Sequence, residues 1–309
     1  MRPVLSSPST TAIKPSYRLG IDLGGTKIEG IVLDPQGDEI YRRRIATEQE
    51  KGCQAILERI AALAAELSGK ARGFPTTLGI GTPGSVSKRT GLLRNSNTVC
   101  LNGRPFCRDL EALLGRRFAV ENDANCFAMA EAMFGAGRGK RLVFGVIMGT
   151  GCGGGIVIDG HVHTGLQRIG GEWGHSCMDP NGPLCYCGQR GCVETFISGG
   201  GLERRFLAET GEKAGLRDIV ARYRKSDLQA TAFMESFFRS FGRAMANLIN
   251  ILDPDVIVLG GGVSNIEELT TRGVEETAKV VFSDSLETPI VRHALGDSAG
   301  VIGAALIGV

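Results

Sequence analysis

Apolar residues along this chain fall into two patterns, short near-continuous runs and longer stretches in which they recur every three to four residues. The first is strand-like and the second helical. From Tyr17 to Ile45 the chain reads YRLGIDLGGTKIEGIVLDPQGDEIYRRRI. This predicts a strand, a glycine turn, a second strand, a tight turn at Asp34–Asp38 and a third strand. The plan recurs from Leu142 to Gly165, LVFGVIMGTGCGGGIVIDGHVHTG, with its later turn at Asp159–Gly160. Little sequence is shared beyond this layout. Its recurrence predicts a duplicated αβ domain, and two such halves facing each other leave a cleft between them.

Helical periods fill the space between and after the two copies. Gln54–Leu67 carries Ile56, Ile60, Leu63 and Leu67 on one face, and Asp109–Leu114 is a short helix closed by Gly115. Leu78–Gly84, LGIGTPG, reads as a strand ending in a loop, followed by the polar stretch Asn95–Gly103. Phe118–Gly135 reads as strand, polar corner, helix. The longest helix is Thr231–Leu252, striped by Phe233, Phe237, Phe241, Met245, Leu248 and Leu252, a spacing that marks core. It leads into a strand at Asp255–Leu259, a turn at Gly260–Gly262, and a final small-residue helix beginning at Gly300 and Gly303. Alternation of strands and helices makes the chain α/β.

With 309 residues there is room for about two domains. A balance of 35 basic against 33 acidic residues gives no reason to expect a nucleic acid or an anionic membrane as partner. The 45 glycines are about double the usual share and cluster in short runs, as ligand-facing turns do. Residues 1–16, rich in Ser, Thr and Pro, lack the apolar segment of a secretory signal and read as a disordered lead-in. No apolar run reaches the ~18 residues of a membrane span. The nine cysteines therefore fit a reducing cytoplasm, with Cys53, Cys100, Cys107, Cys126, Cys152 and Cys177 as free thiols.

The remaining three cysteines stand together. Cys185, Cys187 and Cys192 lie within the stretch Gly170–Glu194, GGEWGHSCMDPNGPLCYCGQRGCVE, with His175 ten residues before the first of them. Three thiolates and an imidazole complete a closed shell for Zn²⁺, which favours S and N donors. A shell with no open position is structural, and it would hold Glu172 and Glu194 beside it.

The glycine turns suggest phosphate. Asp22-Leu-Gly-Gly-Thr-Lys27 offers the backbone N–H groups of Gly24 and Gly25, the hydroxyl of Thr26 and the cation of Lys27, while Asp22 suits Mg²⁺. Gly149, Thr150, Gly151 and Gly153 form a second cradle. Gly149, Gly151 and Gly154 also satisfy G-x-G-x-x-G, yet the following IVIDG is a strand where a dinucleotide site needs a helix. No phosphate-binding G-x-x-x-x-G-K-[ST] occurs. At Glu121–Asn125, ENDAN, an acid starts a helix, where Asp is commonly a cap. The helix dipole also favours its ionised form, so Asp123 is a candidate general base. Asn122, Glu172, Glu194 and Asn102 could pair the hydroxyls of a sugar.

These segments (DLGGTK, GIGTPG, NDAN, GTGCGGG, GEWGH, CYCGQRGCVE and LGGG) stand in an order that resembles the ROK-family sugar kinases, over nearly all of the chain from Tyr17 onward. The resemblance implies a two-domain actin/hexokinase-like ATPase fold built from duplicated ribonuclease H-like domains. The first would span about 17–123. The second, 124–309, would carry the 170–194 zinc loop, with the last helix packing back on the first. It further implies ATP and Mg²⁺ in the cleft, a structural Zn²⁺ and Asp123 as the base for a sugar hydroxyl. Asn122, Glu172, His175 and Glu194 would contact the sugar, with Gly260, Gly261 and Gly262 on the adenosine side. A homodimer is a family-based expectation.

Within the family, GEWGH, NSNTVCLNGRPF, CYCGQRGCVETFISG and NILDPDVIVLGGGVSN look most like the fructokinase/mannokinase-type members. Fructose is therefore expected first and mannose, glucose or N-acetylglucosamine behind it, with phosphorylation at the 6-hydroxyl. N-acetylglucosamine kinases typically have Phe in place of Trp173. A sugar-sensing repressor would need a DNA-binding module of roughly 60–80 residues ahead of the first glycine loop, more than the lead-in supplies. A zinc dehydrogenase fails on the missing helix after the glycines.

Overall fold

The computed structural model describes residues 16–309, so the reading of the lead-in falls outside the described residues except for Ser16. The first half opens with β1 (Tyr17–Leu23), β2 (Lys27–Leu33) and β3 (Glu39–Ala46), an antiparallel meander. Helix α1 (Gly52–Lys70) crosses to β4 (Thr76–Thr82), which pairs parallel with β1. A two-stranded ribbon follows, β5 (Ser85–Val86) with β6 (Leu93–Arg94). After α2 (Phe106–Leu114), β7 (Ala119–Asn122) adds parallel to β4. The sheet order is β3-β2-β1-β4-β7.

Helix α3 (Asp123–Phe134) leads into the second half, where β8 (Leu142–Met148), β9 (Cys152–Ile158) and β10 (His161–Val162) form a second antiparallel meander. Helices α4 (Val193–Ile197), α5 (Gly199–Thr210), α6 (Leu216–Tyr223) and α7 (Leu228–Leu252) precede β11 (Val256–Gly260), parallel to β8. Helix α8 (Arg272–Ala278), β12 (Ile290–Arg292) and α9 (Ala299–Ile307) complete the chain. The second sheet runs β10-β9-β8-β11-β12. Its order and directions repeat the first, so the duplication legible at the two meanders extends to all five strands of each sheet. The fold is that of the actin/hexokinase-like ATPases.

Apolar burial explains the elements. Ile56, Ile60, Leu63 and Leu67 of α1 are at most 2% exposed and pack on β1, β2 and β4. In α7 the stripe of Phe233, Phe237, Phe241, Met245 and Leu248 is buried against the second sheet, while Leu252 is half-exposed at the helix end. Gly115 takes φ 63° and its N–H closes α2 on the Glu111 carbonyl. No helix among the described residues is long and apolar enough to cross a membrane.

Helices α3 and α9 pack on each other, and α9 also lies across β1 and β4 of the first sheet. The approach is so close that a Cβ at Gly303 would collide with the Cys126 carbonyl, and one at Gly79 with the Ala304 carbonyl. Glu131, fully buried on α3, accepts the N–H groups of Ala136 at 2.8 Å and Leu295 at 2.9 Å, tying the approach to α9 to the end of α3. Gly303→Ala is expected to destabilise the fold by about 3 kcal/mol, because backbone rather than a flexible side chain fills the space. Urea unfolding checks this, with Gly262→Ala, which meets nothing within 4 Å, as the control.

Candidate active site

Asp123 is the first residue of α3, and Asn122 is its N-cap, the Asn122 Oδ1 accepting the Asn125 N–H at 2.7 Å. Its carboxylate accepts the Ala124 N–H at 2.9 Å and opens to the solvent of the cleft. Protein crowds it on every other side. That desolvation pushes its pKa up, against the Ala124 hydrogen bond and with the charge of Glu172. An acid raised in this way titrates nearer neutral pH, which suits a general base.

Asp22, at the end of β1, lies under α9, where Gly300 leaves room for its carboxylate, and beside Gly81 and the Cys126 thiol. Its pKa is raised from 3.8 to about 7, first by burial, then by the charges of Asp123 and Glu29, with Lys27 opposing. Burial and a like charge both disfavour ionisation, and a divalent cation here would reverse them.

Two hairpin turns stand at corresponding places in the two sheets, between β1 and β2 and between β8 and β9. In the first, the Gly24 N–H returns to the Lys27 carbonyl, while Thr47 donates its hydroxyl to the Gly24 carbonyl at 2.7 Å. Gln49 also bonds the Gly25 carbonyl. The side chains of Thr26 and Lys27 stay exposed. In the second, the Gly149 N–H bonds the Gly151 carbonyl, and the Gly199 N–H of α5 bonds the Gly149 carbonyl at 2.7 Å. Among the described residues, the amides of Gly25, Thr26, Thr150 and Gly151 donate to no protein acceptor, which leaves them for phosphate oxygens. A cleft of about 990 Å³ continues from Gly149 and Thr150 between α5, α6 and the turn at Gly262–Ile266. Gly262 lines it; Gly260 and Gly261 sit behind, against Phe127 and the Met148 carbonyl. Sequence reading did not identify the α5 and α6 wall, including Gly199, Gly200, Glu203, Val220 and Arg224. The Gly199–Gly201 run was the available signal. A side chain at Gly200 would press on the Thr150 carbonyl.

His175 lies in a single 3₁₀ turn, Trp173–His175, and its Nδ1 is 3.6 Å from the Cys185 Sγ. The donor atoms of His175, Cys185, Cys187 and Cys192 all lie within 4.8 Å of one another, and an N/S₃ set of this compactness can hold a metal ion. Glu194, 5% exposed in α4, accepts the Cys152 N–H at 2.9 Å with one oxygen and lies 3.8 Å from the Cys185 Sγ with the other. It thereby joins the cysteine loop to the second hairpin. Tyr186 places its hydroxyl 3.0 Å from His175 Nε2.

Asp123 thus feels the charge of Glu172, and Asp22 that of Asp123, while His175 with Glu194 gathers at the cysteine loop. Asn102 stands apart in its bonding: its side chain accepts the Ser96 N–H at 2.8 Å and donates to the Ser96 carbonyl at 2.9 Å, stapling the Asn95–Gly103 loop. Beside Asn122 a small polar recess is lined by Thr82, Ser85, Glu121, Asn125 and Arg168, and the buried Asn125 Oδ1 has no partner there. Trp173 turns away from this space, donating to the Gly153 carbonyl at 3.2 Å and meeting Phe144 edge-on.

Comparison with known proteins shows the family. The model of the ROK family matches residues 18–308. The chain is 38% identical over 298 residues to an N-acetylgalactosamine kinase of Shewanella sp. (strain ANA-3), covering 94% of this chain and 96% of that one. It is 36% identical over 304 residues to an N-acetyl-D-glucosamine kinase of Pasteurella multocida (strain Pm70), covering 94% and 98%. A ROK hexokinase crystal structure from Thermus thermophilus superposes with a TM-score of 0.85 at 32% identity, covering 94% of this chain and 97% of that one.

Two outcomes are expected at the acids. Asp123→Asn should lower kcat below about a hundredth of wild type, the loss of a general base, while circular dichroism stays unchanged. For Asp22 the sign follows from its raised pKa. The protonated form prevails below pH about 7, so kcat/KM for Mg²⁺-ATP should fall as pH drops through that value. The unfolded chain loses this proton near pH 3.8, so the contribution of Asp22 to stability falls as pH rises from there to about 7. A pH–rate profile and a parallel unfolding series check both limbs.

Proposed function

We propose, on the premise that the chain belongs to the ROK family, that it phosphorylates an N-acetylhexosamine at the 6-hydroxyl. That it is a sugar kinase using ATP is the coarser statement, carried by the relatives and by the fold. The observation supporting the chemistry is an exposed acid, Asp123, at the start of α3, whose charge reaches Asp22, together with two hairpins whose amides have no protein acceptor. In this reading Asp123 accepts the proton of the sugar hydroxyl, the freed oxygen attacks the γ-phosphorus of ATP, and the bond to the β-bridging oxygen breaks to release ADP. Thr26, Lys27, Thr150 and the hairpin amides hold the phosphates, and the 990 Å³ cleft takes the nucleoside. Mg²⁺ beside Asp22 would supply charge neutralisation. Asn122, Glu172, His175 and Glu194 orient the sugar, and Asn102 supports them by shaping its loop.

Fructose, the first expectation from sequence, gives way here to N-acetylhexosamines, because the relatives described above are named for those sugars. Trp173, on which the fructose distinction leaned, packs under the second hairpin and so has no route to the sugar's identity. We also assign Zn²⁺ to His175, Cys185, Cys187 and Cys192, whose chemistry and compactness fit it. Its role there is to fix the loop that carries Glu194. A cytoplasmic homodimer remains part of the proposal.

In ADP-release assays, N-acetylglucosamine or N-acetylgalactosamine should exceed fructose and mannose in kcat/KM by at least about tenfold. Preference for fructose would restore the first expectation. Cys187→Ser should lower bound zinc, read by atomic emission, and raise the sugar KM by about tenfold; zinc lost with KM unchanged would separate the metal from the sugar site.

A further inference from the structure

Tyr186 sits between two of the cluster cysteines, yet it is 78% exposed. Its hydroxyl bonds His175 Nε2 at 3.0 Å, and its ring meets the imidazole edge-to-face at 5.2 Å and 83°. With Nδ1 turned to the Cys185 thiol, Nε2 is the nitrogen left for a ligand, and Tyr186 guards it. An exposed aromatic ring held edge-on to an imidazole matches a pyranose, which has hydroxyls on its rim and C–H bonds across its face. Sites for such ligands pair an aromatic surface with a few placed polar groups.

We propose that Tyr186 is a specificity-determining residue of the sugar subsite: its ring is a platform for the C–H face of the pyranose, and its hydroxyl aims His175 at that sugar. This rests on the sugar-kinase reading and adds to it a residue that sequence motifs passed over, lying as it does between two metal-site cysteines.

The test uses Tyr186→Ala and Tyr186→Phe in the full-length protein. Isothermal titration calorimetry reads sugar binding without turnover. Tyr186→Ala is expected to raise both the Kd and the KM for N-acetylglucosamine about tenfold while kcat stays within about threefold, the pattern of lost uniform binding. Tyr186→Phe keeps the ring and frees His175, so its loss should be smaller, about threefold. Bound zinc should be unchanged in both. Unaltered Kd and KM in Tyr186→Ala would overturn the proposal, and so would an affinity loss that tracks lost zinc. A wild-type protein that binds sugar through Tyr186 but phosphorylates no N-acetylhexosamine would leave this inference standing and remove the substrate assignment.

Discussion

The bare contact between α3 and α9 is the constraint on which the rest of the molecule depends. Gly303 rides over the Cys126 carbonyl, and Gly79 of the first sheet lies under the Ala304 carbonyl, with no side chain between them. A Cβ at Gly303 would push the two helices apart, and one at Gly79 would push α9 off the first sheet. Both halves of the cleft are hung from this junction: Asp123 starts α3, and Gly300 near the start of α9 makes space for the Asp22 carboxylate. The proximity of these two acids is therefore a property of backbone packing. Their raised pKa values follow, since each is drawn into a crowded junction and Asp22 also faces the charge of Asp123.

A second coupling runs through Glu194. One oxygen takes the Cys152 N–H behind the second hairpin, and the other approaches the Cys185 thiol. The Gly199 N–H binds the same hairpin from the start of α5. The second hairpin, the cysteine loop and the α5 wall of the 990 Å³ cleft thus share a short chain of hydrogen bonds.

Much of this was legible in sequence because it is local. The two meanders announced themselves through apolar runs meeting glycine turns, and the compact cluster of His175 with three cysteines followed from spacing. Asp123 was visible as an acid starting a helix after a strand. What sequence could not supply depends on side-chain direction across distant segments. Asn102 was legible as a candidate sugar contact, but its bonds to the Ser96 N–H and carbonyl, which staple its own loop, were not. Trp173 looked like a marker of substrate class, yet it faces Phe144 and the Gly153 carbonyl. The α6 wall of the nucleoside cleft carries no motif, since it contributes a helix face and not a glycine turn. Asp22 gave no hint of a pKa near neutrality, because its burial comes from α9, nearly the whole chain away.

A crystal structure of the ternary complex with Mg²⁺, a non-hydrolysable ATP analogue and N-acetylglucosamine tests the account most directly. The account requires the sugar's 6-hydroxyl about 3 Å from the Asp123 carboxylate, with the nucleoside between α5 and α6. A sugar whose 6-hydroxyl lies beyond reach of Asp123, with another hydroxyl in line with the γ-phosphate, would contradict it.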